Sequence, residues 1–85
     1  MFNVEFAPKT LKFLANCDAE LRERIVKKIE LLQADPFPRD AKQLAGWGEK
    51  VLRIRVGGYR VLYAVSFEKH VVLISRIDKR GRVYE

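Results

Sequence analysis

The stretch LRIRVGGYRVLY (residues 52–63) contains two strands joined by a two-residue turn. Apolar and polar residues alternate on both sides of the two central glycines, and alternation is the pattern of a half-buried β-strand. Two glycines between such runs are typical of the tight turn of a β-hairpin. The sequence therefore predicts an antiparallel hairpin whose register is fixed by the turn, with Arg55 directly opposite Arg60.

The predicted register gives this hairpin two chemically different faces, because successive side chains of a strand point to opposite sides. One face is apolar and suits packing against helices, with Leu52, Ile54, Val56, Tyr59, Val61 and Tyr63. The opposite face carries Arg53, Arg55 and Arg60. We therefore expect the three arginines to share one surface of a sheet.

The predicted arginine cluster is unfavourable for folding by itself, since like charges directly opposite each other destabilise a sheet. A guanidinium group forms planar, often bidentate hydrogen bonds with phosphate or carboxylate groups, so three of them together indicate an anion-binding site. The alternative is a solvated face whose arginine stems cover apolar neighbours. That alternative would be preferred for one arginine, whereas three on one surface favour the anion site.

The residues before the hairpin predict a strand and two helices. Residues 2–6 alternate in polarity, which predicts a strand, and Pro8 can open a short helix over residues 8–16 with Leu11 and Leu14 turned inward. A longer helix is expected over residues 18–34, beginning at a candidate N-cap aspartate. Apolar residues repeat along it at steps of four, four and three, which makes one inward stripe of Leu21, Ile25, Ile29 and Leu32.

The remaining segments predict a loop and the rest of an antiparallel meander. Residues 36–50 contain two prolines and two glycines, and we expect a loop there with a short edge strand near residues 42–44. Residues 70–78 predict a third strand after a two-residue Glu68-Lys69 turn, and the register of that turn leaves the face of Arg76 open. The fold class is therefore α+β, with an N-terminal strand, a two-helix hairpin and an antiparallel meander packed on the helices.

The positive charge is concentrated in the second half of the chain. The 85 residues carry a formal net charge of +6. Residues 1–40 hold seven basic and seven acidic residues, whereas residues 41–85 hold ten and four. Such a distribution favours an anionic partner, either a nucleic acid or an acidic protein, although a basic balance also supports solubility.

Length and composition point to one domain, spanning residues 1–85, in a reducing compartment. A chain this short has a single modest core and leaves little room for a large internal cavity. The lone Cys17 has no partner for an internal disulfide. No apolar run approaches the roughly 20 residues of a membrane span, and the N-terminus does not resemble a signal peptide. We expect a cytoplasmic protein.

Taken together, the quoted hairpin, the following strand, Lys79-Arg80 and the terminal tyrosine resemble the RelE branch of the RelE/ParE toxin superfamily. The resemblance covers nearly the whole chain. In the nucleases of that family a basic pair on the first meander strand, an arginine on the next, an arginine past the last strand and a C-terminal tyrosine carry the function. The corresponding positions here are Arg53, Arg55, Arg60, Arg80 and Tyr84.

The resemblance implies a ribosome-dependent endoribonuclease that cleaves mRNA in the A site, without a metal or small-molecule cofactor, through attack of the ribose 2′-oxygen on the adjacent phosphate. On this basis the catalytic residues are Arg55, Arg60, Arg80 and Tyr84. Further RNA contacts are assigned to Arg53, Arg82 and Lys79. The implied partners are the ribosome with its mRNA and a cognate acidic antitoxin, with no role for a membrane.

Two other functions fit the same fold. A related branch inhibits DNA gyrase by binding, as ParE does, and an inactive relative could serve as an antitoxin-bound co-repressor or a simple nucleic-acid-binding module. A related branch relies on a glutamate and a histidine, for which Glu49 and His70 are the candidate equivalents here. We interpret both as surface residues, since His70 follows a predicted turn away from the arginines.

Overall fold

The structure, a computed structural model, describes residues 1–44 and 51–79. Within these ranges the elements in chain order are β1 (Asn3–Phe6), α1 (Pro8–Asn16), α2 (Ala19–Ala34), β2 (Lys42–Gln43), β3 (Val51–Val56), β4 (Tyr59–Ser66) and β5 (Val71–Lys79). The strands form one sheet in the order β1-β5-β4-β3-β2. Only β1 and β5 run parallel, and the other neighbours are antiparallel. The predicted α+β class is confirmed.

The hairpin of β3 and β4 has the predicted register. Arg55 lies opposite Arg60, and the pairing extends from the turn to Val51 opposite Ala64. Gly57, the first residue of the turn, has a φ of 58°, a backbone conformation that residues with a Cβ rarely adopt. This positive φ at the first turn position is what a type II′ hairpin turn requires.

The core lies between the two helices and one side of the sheet. The helices contribute Leu14, Ile25, Ile29 and Leu32, and the inner side of the sheet contributes Leu52, Ile54, Val56, Val61, Tyr63, Val72, Ile74 and Ile77. Because both helices pack on the same side, the residues of alternate parity on β3 and β4 form the opposite side of the sheet. The predicted apolar face of the hairpin is therefore the face that meets the helices.

Tyr63 links the sheet to the loop that follows α2. Its side chain is fully buried, and its hydroxyl donates a hydrogen bond of 2.7 Å to the carbonyl oxygen of Pro36. Burial raises the pKa of the Tyr63 phenol well above its usual value, and the nearby carboxylates of Asp40 and Asp35 raise it further. The phenol therefore stays protonated at neutral pH and remains a hydrogen-bond donor.

The two helices form where the sequence predicts them, with one correction. The Asp18 carboxylate accepts a hydrogen bond of 2.7 Å from the backbone N–H of Leu21 and so caps α2. The prediction that Leu11 faces the core is wrong, since 53% of its surface is exposed. The inward positions of α1 are Thr10 and Leu14, which lie four residues apart on one side of the helix, and Leu11 lies to one side of that line.

The connection between β4 and β5 is longer than the predicted Glu68-Lys69 turn. β4 ends at Ser66 and β5 begins at Val71, which are paired, so the turn contains the four residues 67–70. The Ser66 hydroxyl accepts a hydrogen bond of 3.1 Å from the backbone N–H of Lys69. This side-chain contact stabilises the wider turn.

Within the described ranges, neither α1 nor α2 has the length and apolar composition that crossing a membrane requires.

The two turn glycines give a matched pair of substitutions. In Gly57→Ala, a Cβ would have to adopt the positive φ and would lie 3.1 Å from a guanidinium nitrogen of Arg24, so we expect a loss of about 1–2 kcal/mol in unfolding free energy. In Gly58→Ala, the Cβ meets no heavy atom within 4 Å, and we expect no loss. Urea denaturation of both variants tests this, and equal midpoints would contradict the assigned turn.

Candidate functional site

The three predicted arginines of the hairpin lie on the outer side of the sheet, away from the helices. Arg55 and Arg60 are cross-strand neighbours, and Arg53 lies two residues before Arg55 on the same face. Together with Leu44, which follows β2, all three line one cleft of about 220 Å³. The structure thus brings together the side chains that the sequence grouped.

The arginines differ in how deeply their side chains are held. Arg55 is exposed and Arg53 is half-buried, whereas only 13% of the Arg60 side chain is exposed. Leu62 lies on the same face, between Arg53 and Arg76 on the adjacent strands, and its side chain is buried. The arginine stems therefore surround an apolar floor, while the charged ends determine what the surface can bind.

A β-bulge in β5 changes which of its residues face outward. Leu62 of β4 pairs with Arg76, but the next residue, Tyr63, pairs with Ile74, so Ser75 is the extra residue. The Ser75 hydroxyl donates a hydrogen bond of 3.1 Å to the carbonyl oxygen of Leu62. Because one residue is inserted, the alternation of β5 reverses after this point.

The reversal places Arg76 and Asp78 on the same side of the sheet as the arginines. Asp78 lies opposite Arg60, and Ile77 between them turns into the core. This settles the face of Arg76, which the sequence left open. We use the name arginine face for the outer surface formed by Arg53, Arg55 and Arg60.

Asp78 holds two of these guanidinium groups. Its Oδ1 accepts from Nε of Arg60 at 3.0 Å and its Oδ2 accepts from Nη2 of the same arginine at 3.1 Å. Oδ2 also lies 3.0 Å from Nε of Arg76. A bidentate contact fixes the plane of a guanidinium group as well as its position. The carboxylate also offsets part of the repulsion between Arg55 and Arg60.

The other predicted site residues lie elsewhere or outside the described ranges. Lys79 is exposed and pairs with Tyr59, so by strand alternation it falls on the helix side of the sheet. Arg80, Arg82, Tyr84 and Glu49 lie outside the described residues. His70 is exposed in the turn at the far end of β4, and its ring stacks on Phe2 at 4.1 Å. This places His70 away from the arginine face.

Sequence reasoning missed Asp78 and the bulge that presents it. The signal was present in the spacing of Ile74 and Ile77, since two isoleucines three residues apart cannot both face the core of a regular strand. Both are in fact buried. An insertion between them is the simplest way to satisfy both, and it reverses the side on which Arg76 and Asp78 lie.

The arginine face can bind an anion but cannot remove a proton. Arginine stays protonated in proteins, because its pKa exceeds about 12. Several guanidinium groups at one cleft can orient a phosphate and stabilise negative charge that develops on it. A group that accepts a proton during a reaction must come from another residue, from the substrate or from a partner.

Comparison with known proteins identifies relatives along nearly the whole chain. The model of the family described as "ParE toxin of type II toxin-antitoxin system, parDE" matches residues 4–84. Toxin RelE1 of Methanocaldococcus jannaschii is 32% identical over an alignment of 87 positions, which covers 99% of this chain and 96% of the relative. The mRNA interferase toxin RelE of Escherichia coli K12 is 33% identical over 82 residues, which cover 93% of this chain and 83% of the relative.

A solved structure confirms that the fold is shared. A chain of the RelE–RelB complex from Pyrococcus horikoshii OT3 aligns with a TM-score of 0.84 at 29% sequence identity. The alignment covers 96% of this chain and 98% of that chain. Sequence and structure therefore point to the same group of proteins.

The role assigned to Asp78 can be tested by changing its charge. In Asp78→Asn the side chain keeps its size but loses the carboxylate that Arg60 and Arg76 share, so we expect the unfolding free energy to fall by about 1–2 kcal/mol. The matched control is Glu30→Gln, which removes one negative charge from the exposed surface of α2 and should change the free energy by less than about 0.5 kcal/mol. Equal denaturation midpoints for the two variants would show that Asp78 does not hold the arginines.

Proposed function

Because the chain belongs to the RelE-type toxins of the RelE/ParE superfamily, we propose that it cuts messenger RNA in the A site of the ribosome and so stops translation. The substrate class follows the relative from Escherichia coli that is named an mRNA interferase toxin. The observation that carries the proposal is the single cleft lined by Arg53, Arg55 and Arg60. Such a cleft suits the phosphate of an RNA backbone.

In the proposed reaction the ribose 2′-oxygen attacks the adjacent phosphorus while the bond from phosphorus to the 5′-oxygen breaks. The 2′-hydroxyl loses a proton, the phosphorane gains negative charge, and the leaving 5′-oxygen takes up a proton. The products are a 2′,3′-cyclic phosphate and a 5′-hydroxyl end. This chemistry draws on side chains and the substrate, without a metal ion.

The arginines suit the stabilisation of the negative charge on the phosphorane. Arg55 and Arg60 would bind the non-bridging oxygens and stabilise the charge of the phosphorane, with Arg80 as the third cation and Arg53 as a further contact. Asp78 would keep Arg60 in place, since its bidentate contact fixes the guanidinium plane. Tyr84 would stack on the base beside the scissile bond or take part in proton transfer. Arg82 and Lys79 are proposed as outer RNA contacts, Lys79 at the edge of the sheet.

Dependence on the ribosome is consistent with this division of roles. The arginines cannot act as the general base, and a flexible RNA gains reactivity when its 2′-oxygen and phosphorus are held in line. The ribosome would hold the mRNA in such a geometry. We therefore expect free protein to cleave isolated RNA far more slowly than mRNA in the A site.

The proposed protein partner is a cognate antitoxin with an acidic segment. The related RelE–RelB complex from Pyrococcus horikoshii pairs such a toxin with a second protein. In this chain the net charge of +6, with the arginine face as one exposed basic surface, suits an acidic segment that covers the cleft. Binding there would exclude RNA by occupying the same cations.

A second candidate is suggested by the family model, which is described as a ParE toxin. In that case the chain would inhibit DNA gyrase by binding and would cut no RNA. The cleft of three arginines is not needed for such binding, whereas the nuclease reaction depends on it. The two candidates therefore predict different consequences when one arginine is removed.

The decisive variants are Arg60→Ala and Tyr84→Phe, added to a translating extract in which mRNA ends are mapped by primer extension. Wild-type protein should produce cuts in phase with codons. Loss of one charge-stabilising donor should slow cleavage by about 100-fold or more, so the Arg60→Ala cuts should almost disappear. Tyr84→Phe keeps the ring but loses the hydroxyl, and it separates stacking from proton transfer.

The matched control is Lys69→Ala, which removes one positive charge from the turn at the opposite end of β4. Cleavage by this variant should equal that of wild type, and melting curves should show that every variant is folded. Intact mRNA together with blocked DNA supercoiling would contradict the nuclease function and support inhibition of DNA gyrase. Equal cleavage by wild type and Arg60→Ala would show that the arginine face takes no part in the reaction.

A further inference from the structure

A second cleft lies beside the arginine face, at the edge of the sheet. β1 pairs only with residues 71–74 of β5, and the chain then leaves the sheet at Ala7, whose N–H donates to the carbonyl oxygen of Ile74. The first turn of α1 therefore flanks the second half of β5. The space between them has a volume of about 450 Å³ and is lined by Lys9, Leu62, Ser75, Arg76, Ile77 and Asp78.

This cleft, which we call the Lys9 cleft, carries positive charge from two directions. Lys9 reaches it from α1 and Arg76 from β5, and both are exposed. The one carboxylate, Asp78, already accepts hydrogen bonds from Arg60 and contacts Arg76. Among the described residues, Lys9, Arg60 and Arg76 against Asp78 leave the region positive, so a second anion is favoured there.

The Lys9 cleft is continuous with the arginine face. Nη2 of Arg60 and Nε of Arg76 lie 3.1 Å and 3.0 Å from the same oxygen of Asp78. Arg60 lines the first cleft and Arg76 lines the second. A backbone with regularly spaced negative charges could therefore run from one cleft to the other without leaving a positive surface.

The size and lining of the Lys9 cleft suit a nucleotide. A volume of about 450 Å³ lies within the range of about 300–1,000 Å³ for small-ligand sites. Leu62 and Ile77 supply apolar surface for a ribose or base, and the two cations supply partners for a phosphate. We propose that the Lys9 cleft binds the nucleotide of single-stranded RNA next to the scissile phosphate, with Lys9 and Arg76 on its phosphate group.

This proposal rests on the proposed nuclease function, because it extends the same RNA beyond the arginine face. It makes Lys9 a binding residue whose contribution depends on RNA length. An RNA with a single phosphate would occupy only the arginine face and would not reach Lys9. A longer RNA would gain the additional contact.

The test compares Lys9→Ala with Lys12→Ala in the full chain. Lys12 is exposed on the same helix, one turn later. It shares a neighbouring cleft with Lys9, Phe13 and Tyr59 but does not line the Lys9 cleft, so it controls for the loss of one charge. The probes are a dinucleotide and a hexanucleotide made uncleavable by 2′-O-methyl groups, with affinity measured by titration at several salt concentrations.

For the hexanucleotide, Lys9→Ala should bind about tenfold more weakly than wild type. The slope of the logarithm of the binding constant against the logarithm of the salt concentration should decrease in magnitude by about 0.7. Lys12→Ala should change affinity less than about twofold. For the dinucleotide, wild type and Lys9→Ala should bind equally.

Equal losses in the two lysine variants, or a Lys9→Ala loss that is the same for both RNA lengths, would overturn the nucleotide site. So would a Lys9→Ala defect that appears only with an acidic antitoxin peptide, since the cleft would then belong to the protein partner. Failure of the nuclease function is seen separately, as intact mRNA in the translating extract, whereas the Lys9 comparison is made on uncleavable RNA.

Discussion

The contact of Asp78 with Arg60 is the interaction on which the outer surface of this protein depends. The turn places Arg55 opposite Arg60, an arrangement that repulsion opposes. Asp78 supplies a carboxylate with two hydrogen bonds at 3.0 Å and 3.1 Å. It can do so only because the bulge at Ser75 turns it outward. Among the described residues, Asp78 thus supplies a negative charge inside the basic cluster and fixes the plane of the Arg60 guanidinium group.

The domain offers an open surface rather than an enclosed site because it is small. Both helices pack on one side of the sheet, and the core is filled by their side chains and the inner residues of the strands. The outer side of β3, β4 and β5 then presents the arginines around the buried Leu62. Strands hold side chains at fixed spacing, so Arg53, Arg55 and Arg60 need no ligand to bring them together.

The sequence predicted the hairpin and its arginines because local chemistry decides them: two glycines fix the register, and alternation fixes the faces. Asp78 and Arg76 could not be placed in this way, since their direction depends on a bulge whose cause is the packing of Ile74 and Ile77 in the core. The same limit applies to Leu11, because the rotation of α1 against the sheet, which places Thr10 and Leu14 inward, depends on tertiary packing. Roles for Arg80 and Tyr84 rest on family resemblance.

The central claim is that the guanidinium groups of the arginine face bind the RNA backbone. The most direct measurement is an NMR titration that follows the side-chain Nε–H signals of Arg53, Arg55 and Arg60 while an uncleavable single-stranded RNA is added. We expect saturable shifts of all three signals with one common affinity. Shifts confined to the helices, with the three arginine signals unchanged at saturation, would contradict it.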